Sequence, residues 1–140
     1  MTALLTVPIT TAVTALVGPV LQIRRETGLP ANVCIQGKFT YGSGGTTATV
    51  WVQTSVDGGA TWTDIACFQF TTATARSIYN LSSLTPNATA YAPTDGSLAI
   101  NTAKDGIIGP QYRAKYTTTG TYAGNTVLEV DLATIGMTAF

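Results

Sequence analysis

Apolar and polar residues alternate with a period of two along most of the chain, as they do in a half-buried strand. Val33, Ile35, Gly37, Phe39 and Tyr41 fall on one face, with Gln36, Lys38 and Thr40 on the other. Ala48, Val50, Val52 and Thr54 alternate with Thr49, Trp51 and Gln53. Trp62, Asp64, Ala66, Phe68 and Phe70 alternate with Thr63, Ile65, Cys67 and Gln69. Tyr112, Ala114 and Tyr116 separate in the same way from Arg113 and Lys115, and Leu128, Val130 and Leu132 from Glu129 and Asp131. Between these runs stand turn-forming clusters: Gly42–Gly45, Asp57-Gly58-Gly59, Pro93–Gly96, Asp105-Gly106, Gly109-Pro110 and Gly120–Gly124. No window of a dozen residues carries the i, i+3, i+4, i+7 spacing of a capped amphipathic helix. The pattern predicts an all-β domain, an antiparallel β-sandwich of jelly-roll-like kind with about seven to nine strands.

Two segments stand apart. Residues 1–23 carry no charged side chain and are set off by Arg24-Arg25-Glu26 and Gly28-Leu29-Pro30. They are expected to form a strand pair or an arm that pairs with another subunit, leaving 24–140 as a single β-sandwich domain. Pro8, Gly18, Pro19 and repeated threonines interrupt this apolar stretch, which argues against a membrane-spanning helix. No basic residue precedes Arg24, so the charged n-region of a secretory signal is lacking. The expectation is synthesis in a cytoplasm without export, with the sequons at Asn80 and Asn87 unused. The stretch from Ser82 to Ile108 lacks clear periodicity and is too long for a hairpin connection. Loops of that length are usually functional or clamp onto a neighbour.

Composition sharpens the picture. A chain of 140 residues fits one domain and buries enough surface to fold without a disulfide or metal. Charged residues make up only 10 %, against roughly 25 % in an average soluble domain. Their place is taken by 27 threonines, β-branched and suited to a pleated surface. The result is a neutral, weakly hydrated skin that suits packing against neighbours. Net charge is zero and Arg24-Arg25 is the only adjacent basic pair, so nucleic acid is not expected as a partner. Cys34 and Cys67 each lie in a predicted strand and are expected to stay as free, buried thiols.

The most specific local signal is Ser55-Val56-Asp57-Gly58-Gly59-Ala60-Thr61-Trp62. Ser55, Asp57, Gly59, Thr61 and Trp62 match the S-x-D-x-G-x-T-W pattern of the Asp-box found in sialidases and other β-proteins. The resemblance implies a structural hairpin turn: Asp57 accepts from turn N–H groups, Gly59 takes a positive φ, and Trp62 packs back over the turn. Carbohydrate contact at this turn is the lesser reading. There is no histidine, which removes the commonest general base and the usual triads. The seven carboxylates show no marked pair for glycoside hydrolysis. No enzyme activity, cofactor or metal site is expected; calcium at Asp95 or Asp105 lacks EF-hand spacing. Trp51, Tyr41, Tyr79, Tyr91, Tyr112, Tyr116 and Tyr122 are read as core or strand-face residues before a sugar-stacking platform.

The run from Phe39 to Phe70, with Tyr-Gly-Ser-Gly-Gly-Thr-Thr-Ala and Ser-Val-Asp-Gly-Gly-Ala-Thr-Trp-Thr-Asp within it, resembles small structural proteins of tailed bacteriophages and prophages. Tyr112 to Thr126, Tyr-Arg-Ala-Lys-Tyr-Thr-Thr-Thr-Gly-Thr-Tyr-Ala-Gly-Asn-Thr, is similar to their C-terminal portion. The likeness covers about 100 residues from Ala31 onward and contains no defined site motif. It implies a virion component of the head-decoration, or cement, type, on the capsid surface and made in a bacterial host cytoplasm. Its implied partners are the major capsid protein and copies of itself, as a trimer. A tail, neck or adaptor component is the alternative within the virion, and a carbohydrate-binding β-sandwich module the alternative outside it. On this reading residues 1–23 and the Ser82 to Ile108 loop supply much of the contact surface, and removal of residues 1–20 leaves the sandwich folded.

Overall fold

The computed structural model describes residues 2–23 and 30–136, and every regular element among them is a strand. In chain order these are β1 (Thr2–Pro8), β2 (Leu16–Val17), β3 (Leu21–Gln22), β4 (Pro30–Thr40), β5 (Ser43–Gly44), β6 (Thr47–Ser55), β7 (Thr63–Phe70), β8 (Ala75–Ser82), β9 (Gln111–Thr119), β10 (Tyr122–Ala123) and β11 (Val127–Gly136). One sheet has the order β1-β11-β4-β8; the other runs β2-β9-β6-β7, with β3 also on β9. All pairings are antiparallel. The short pair β5–β10 tightens one end.

Setting that pair aside and taking β2 and β3 as one interrupted strand leaves eight strands. The first then pairs with the last, the second with the seventh, the third with the sixth and the fourth with the fifth. This is the connectivity of a jelly roll, a long antiparallel ribbon rolled into two facing sheets. Seven strands have seven or more residues, and the two-residue ladders raise the total to eleven.

Inward side chains of both sheets fill the space between them: Val33, Ile35 and Phe39 from β4, Leu128, Val130 and Leu132 from β11, Val50 and Val52 from β6, and Tyr112, Ala114 and Tyr116 from β9. Phe39 stacks on Phe70 with ring centres 5.3 Å apart and meets Tyr122 edge-on at 5.5 Å. Gly37 continues the inward face of β4 because a Cβ there would lie 2.9 Å from the Phe68 ring. Glycine is therefore what lets the two sheets close at that point.

Residues 2–23 are divided between the two sheets. β1 closes the edge of the first sheet against β11, and β2 and β3 close the edge of the second against β9. Both edges lie on the same side of the sandwich, where Leu5 packs beneath Gly18. A register shift between Ala3 and Leu5 turns the consecutive Leu4 and Leu5 both into the core.

Candidate functional site

The β6–β7 connection brings together the five residues of the Asp-box-like motif. The Ser55 hydroxyl donates to Asp57 at 2.8 Å and accepts from the Gly59 N–H at 2.8 Å. Asp57 also accepts from the Thr61 backbone N–H at 2.9 Å and from the Thr61 hydroxyl. Gly59 has φ of 92°, in the region that favours glycine. Trp62 is 9 % exposed, and the Arg113 guanidinium lies 4.3 Å above its ring. The Thr61 hydroxyl and N–H, together with Ser55, hold the Asp57 carboxyl down at about 2.

The alternation along β7 does not reveal the second carboxylate of this hairpin. Alternation places Asp64 on the face of Ala66 and Phe68, towards the core. A bulge corrects this: Val52 pairs with Ala66 but Gln53 pairs with Asp64, so Ile65 is the extra residue and Asp64 turns to the outer face with Gln53. There it is completely buried under residues 94–98. Its oxygens accept from the backbone N–H groups of Gly96, Ser97 and Leu98 at 2.8–3.0 Å, from the Thr94 hydroxyl at 2.8 Å and from the Gln53 amide at 2.8 Å. Its own N–H donates to the Thr94 carbonyl at 2.8 Å. One buried charge thus anchors the middle of the long loop.

The same loop continues along the edge of β7. Cys67 N–H donates to Thr102 O, Lys104 N–H donates to Ile65 O, and the Trp51 indole N–H donates to Leu98 O. An edge strand that would otherwise offer unpaired backbone is covered in this way. The 82–108 segment therefore clamps onto its own sheet. Its base is held by Asp105, which accepts from the Ser82 N–H at 2.7 Å and the Thr85 hydroxyl at 2.7 Å and lies below the usual carboxylate range as a result.

Next to Asp64 stands the largest charge cluster. Asp95 accepts from Gln53 at 2.6 Å and from Lys115 at 2.7 Å, with Arg113 at 3.8 Å. Partial burial pushes this carboxyl up, but the Lys115 and Gln53 hydrogen bonds and the two cations outweigh it and leave it low. The pair Asp64–Asp95 shares the Gln53 amide, yet Asp64 has both oxygens occupied by its own loop. The outer face of the first sheet carries Lys38 against Glu129 at 3.7 Å, and Gln36 bridging Arg76 and Asp131 at 3.0 and 3.3 Å. Every carboxylate among the described residues is thus engaged by the protein's own groups.

The aromatic residues do not assemble as a stacking platform. Tyr112, Tyr116 and Tyr122 are in the core. The Tyr79 hydroxyl donates to Cys67 O at 2.9 Å, the Tyr41 hydroxyl to Gly44 O at 3.0 Å, and Tyr91 lies under Lys104. Cys34 and Cys67 are free thiols on the outer faces of opposite sheets. Among the described residues no three His, Cys, Asp or Glu side chains are grouped to hold a metal, and no helix is long and apolar enough to cross a membrane. No family model, curated protein or solved structure matches the chain.

Proposed function

We propose that the protein is a structural component of a phage virion, a decoration or cement protein that binds the outside of the capsid lattice and copies of itself. The observation that carries this reading is the internal commitment of its charge. Asp57, Asp64, Asp95 and Asp105 order its own turns and loops, and Glu129 and Asp131 are bonded to their own sheet. What is left outward is dominated by threonine, alanine and glycine, with Leu16, Val17 and Val20 exposed along the N-terminal edge. A rigid scaffold with a sparsely charged skin is suited to lattice contact, since few ions have to be stripped of water. Jelly rolls recur in viral capsid and lectin domains, which agrees with this use but does not by itself choose between them. The dispersal of the aromatic rings favours the capsid over a glycan partner.

Electron cryomicroscopy of particles from the phage that encodes the protein tests the proposal. Density for the jelly roll on the head surface at lattice symmetry positions is the expected result. Its presence only in the tail or neck would move the protein to that part of the virion. Its absence from particles, with glycan binding by the purified protein, would replace the structural reading altogether.

A further inference from the structure

Two facing sheets have four edges, and three of them are guarded. β1 carries a register shift and ends in Pro8, and β2 and β3 are separated by the Gly18-Pro19 break. The edge of β7 is covered by the long loop, through Thr102 and Lys104. The fourth edge is β8, which ends the first sheet beside β4.

Hydrogen bonds at its two ends fix which backbone groups of β8 point outward. The Ser82 N–H turns away from β4 to reach Asp105 at 2.7 Å. At the other end the Tyr41 N–H, which continues β4, turns towards the β8 side and donates to the Thr74 hydroxyl at 3.0 Å. Strand alternation between these points sends the N–H and C=O of Arg76, Ile78 and Asn80 out of the sheet, and those of Ser77 and Tyr79 towards β4. Arg76, Ile78 and Asn80 are all exposed, with Ile78 at 51 %.

We infer that this edge pairs with the same edge of a second copy of the chain, antiparallel about a twofold axis through Ile78. The inference deepens the self-association in the proposed role and rests on that part of it, not on the capsid. The occupant follows from the symmetry of the run. With Ile78 opposite its own counterpart, Arg76 lies opposite Asn80, and the three outward residues of each copy satisfy one another with about six hydrogen bonds. Any shift of register sets one of them against Ser82, whose N–H is already taken, or against Thr74, beyond the strand. The large apolar side chain then sits at the centre of the contact and the polar ones at its rim. The two Arg76 side chains end about 13 Å apart along the strands, beyond the roughly 8 Å over which salt screens charge. A ring of three, the state that the resemblance implies, would need a second and different open edge, and the other edges are guarded.

The test is self-association of the full chain in solution, followed by sedimentation and by amide hydrogen exchange over a series of protein concentrations. The expected result is a monomer–dimer equilibrium. The Arg76, Ile78 and Asn80 amides should gain protection as concentration rises, while those of Ser77 and Tyr79 are protected throughout. Ile78→Lys sets like charges opposite each other and is expected to raise the dimer Kd roughly tenfold or more. Ile78→Pro removes an outward N–H without touching the ladder to β4, and is expected to weaken the dimer likewise. Val56→Lys, at a position 70 % exposed in the β6–β7 connection, is expected to associate as the unaltered chain does. Thermal unfolding checks that each variant folds; if Ile78→Pro unfolds early, Ile78→Lys and the exchange pattern decide. A chain that stays monomeric, a dimer that survives Ile78→Lys, a trimer, or a dimer without protection at those three amides overturns the inference. Each of these results leaves head binding untouched, which the particle reconstruction tests separately.

Discussion

Asp57 and Asp64 stand seven positions apart on one hairpin and do different work because their surroundings differ. Asp57 is open to water and orders only its own turn, through Ser55 and Thr61. Its carboxyl falls from 3.8 to about 2, so the folded state favours the ionised form. A lowered carboxyl pKa stabilises above the unfolded value and loses that contribution as pH falls through the folded one. Asp57→Ala is therefore expected to lower the denaturation midpoint at pH 7, and the gap from the unaltered protein should close between pH 4 and 2. A gap independent of pH in that window would mean that Asp57 acts by shape alone. The two thiols differ likewise: Cys67 is buried and pushed up to about 11 by desolvation, whereas Cys34 is partly exposed. A thiol reagent applied to the native protein at neutral pH should label Cys34 and spare Cys67, with no intramolecular disulfide detected by mass.

At the scale of elements, the loop after β8 is held by a charge rather than by a core of its own. Asp64 collects three consecutive backbone N–H groups from it, and β7 lends it ladder bonds. Removal of that carboxylate leaves several buried donors without an acceptor. Asp64→Ala should cost about 3 kcal/mol or more in equilibrium unfolding. The same variant should expose Lys104 to trypsin under native conditions, and cleavage there would be read by mass. An unchanged digestion pattern would show that the ladder bonds to β7 are sufficient. β8 itself is the strand that alternation misses. Most of it is exposed, with Ile78 outward and only Tyr79 and Leu81 of the inward-facing positions covered, so it offers little periodicity to read.

For the molecule as a whole, residues 2–23 are part of the fold. Leu4, Leu5 and Ile9 are buried at 2, 7 and 3 % exposure, so the N-terminal segment contributes directly to the common core. Leu4→Ala is expected to cost about 3 kcal/mol in denaturant unfolding. Deletion of residues 1–20 should unfold the sandwich or leave it aggregating, in place of the folded remainder that the sequence suggested, since it strips β11 and β9 of their edge partners. A cooperative, monomeric truncation product would refute this. With the strands in place, the outer edges are guarded by the bulge in β1, by Pro8 and by the Gly18-Pro19 break, with no charge among them.

Period-two alternation in β4, β6, β9 and β11, together with turn clusters and the absence of helical spacing, determined an all-β sandwich, because burying one face of a pleated strand leaves a local trace every second residue. The Ser55–Trp62 turn was equally legible, since its donors and acceptors all lie within eight residues. The destination of residues 2–23 was decided only in three dimensions: their apolar character says that they must be covered, but which sheet edge covers them depends on partners about a hundred residues away. Asp64 was hidden for the same reason. A single bulged residue, Ile65, reverses its face, and the N–H groups that surround it come from a loop more than thirty residues further along the chain.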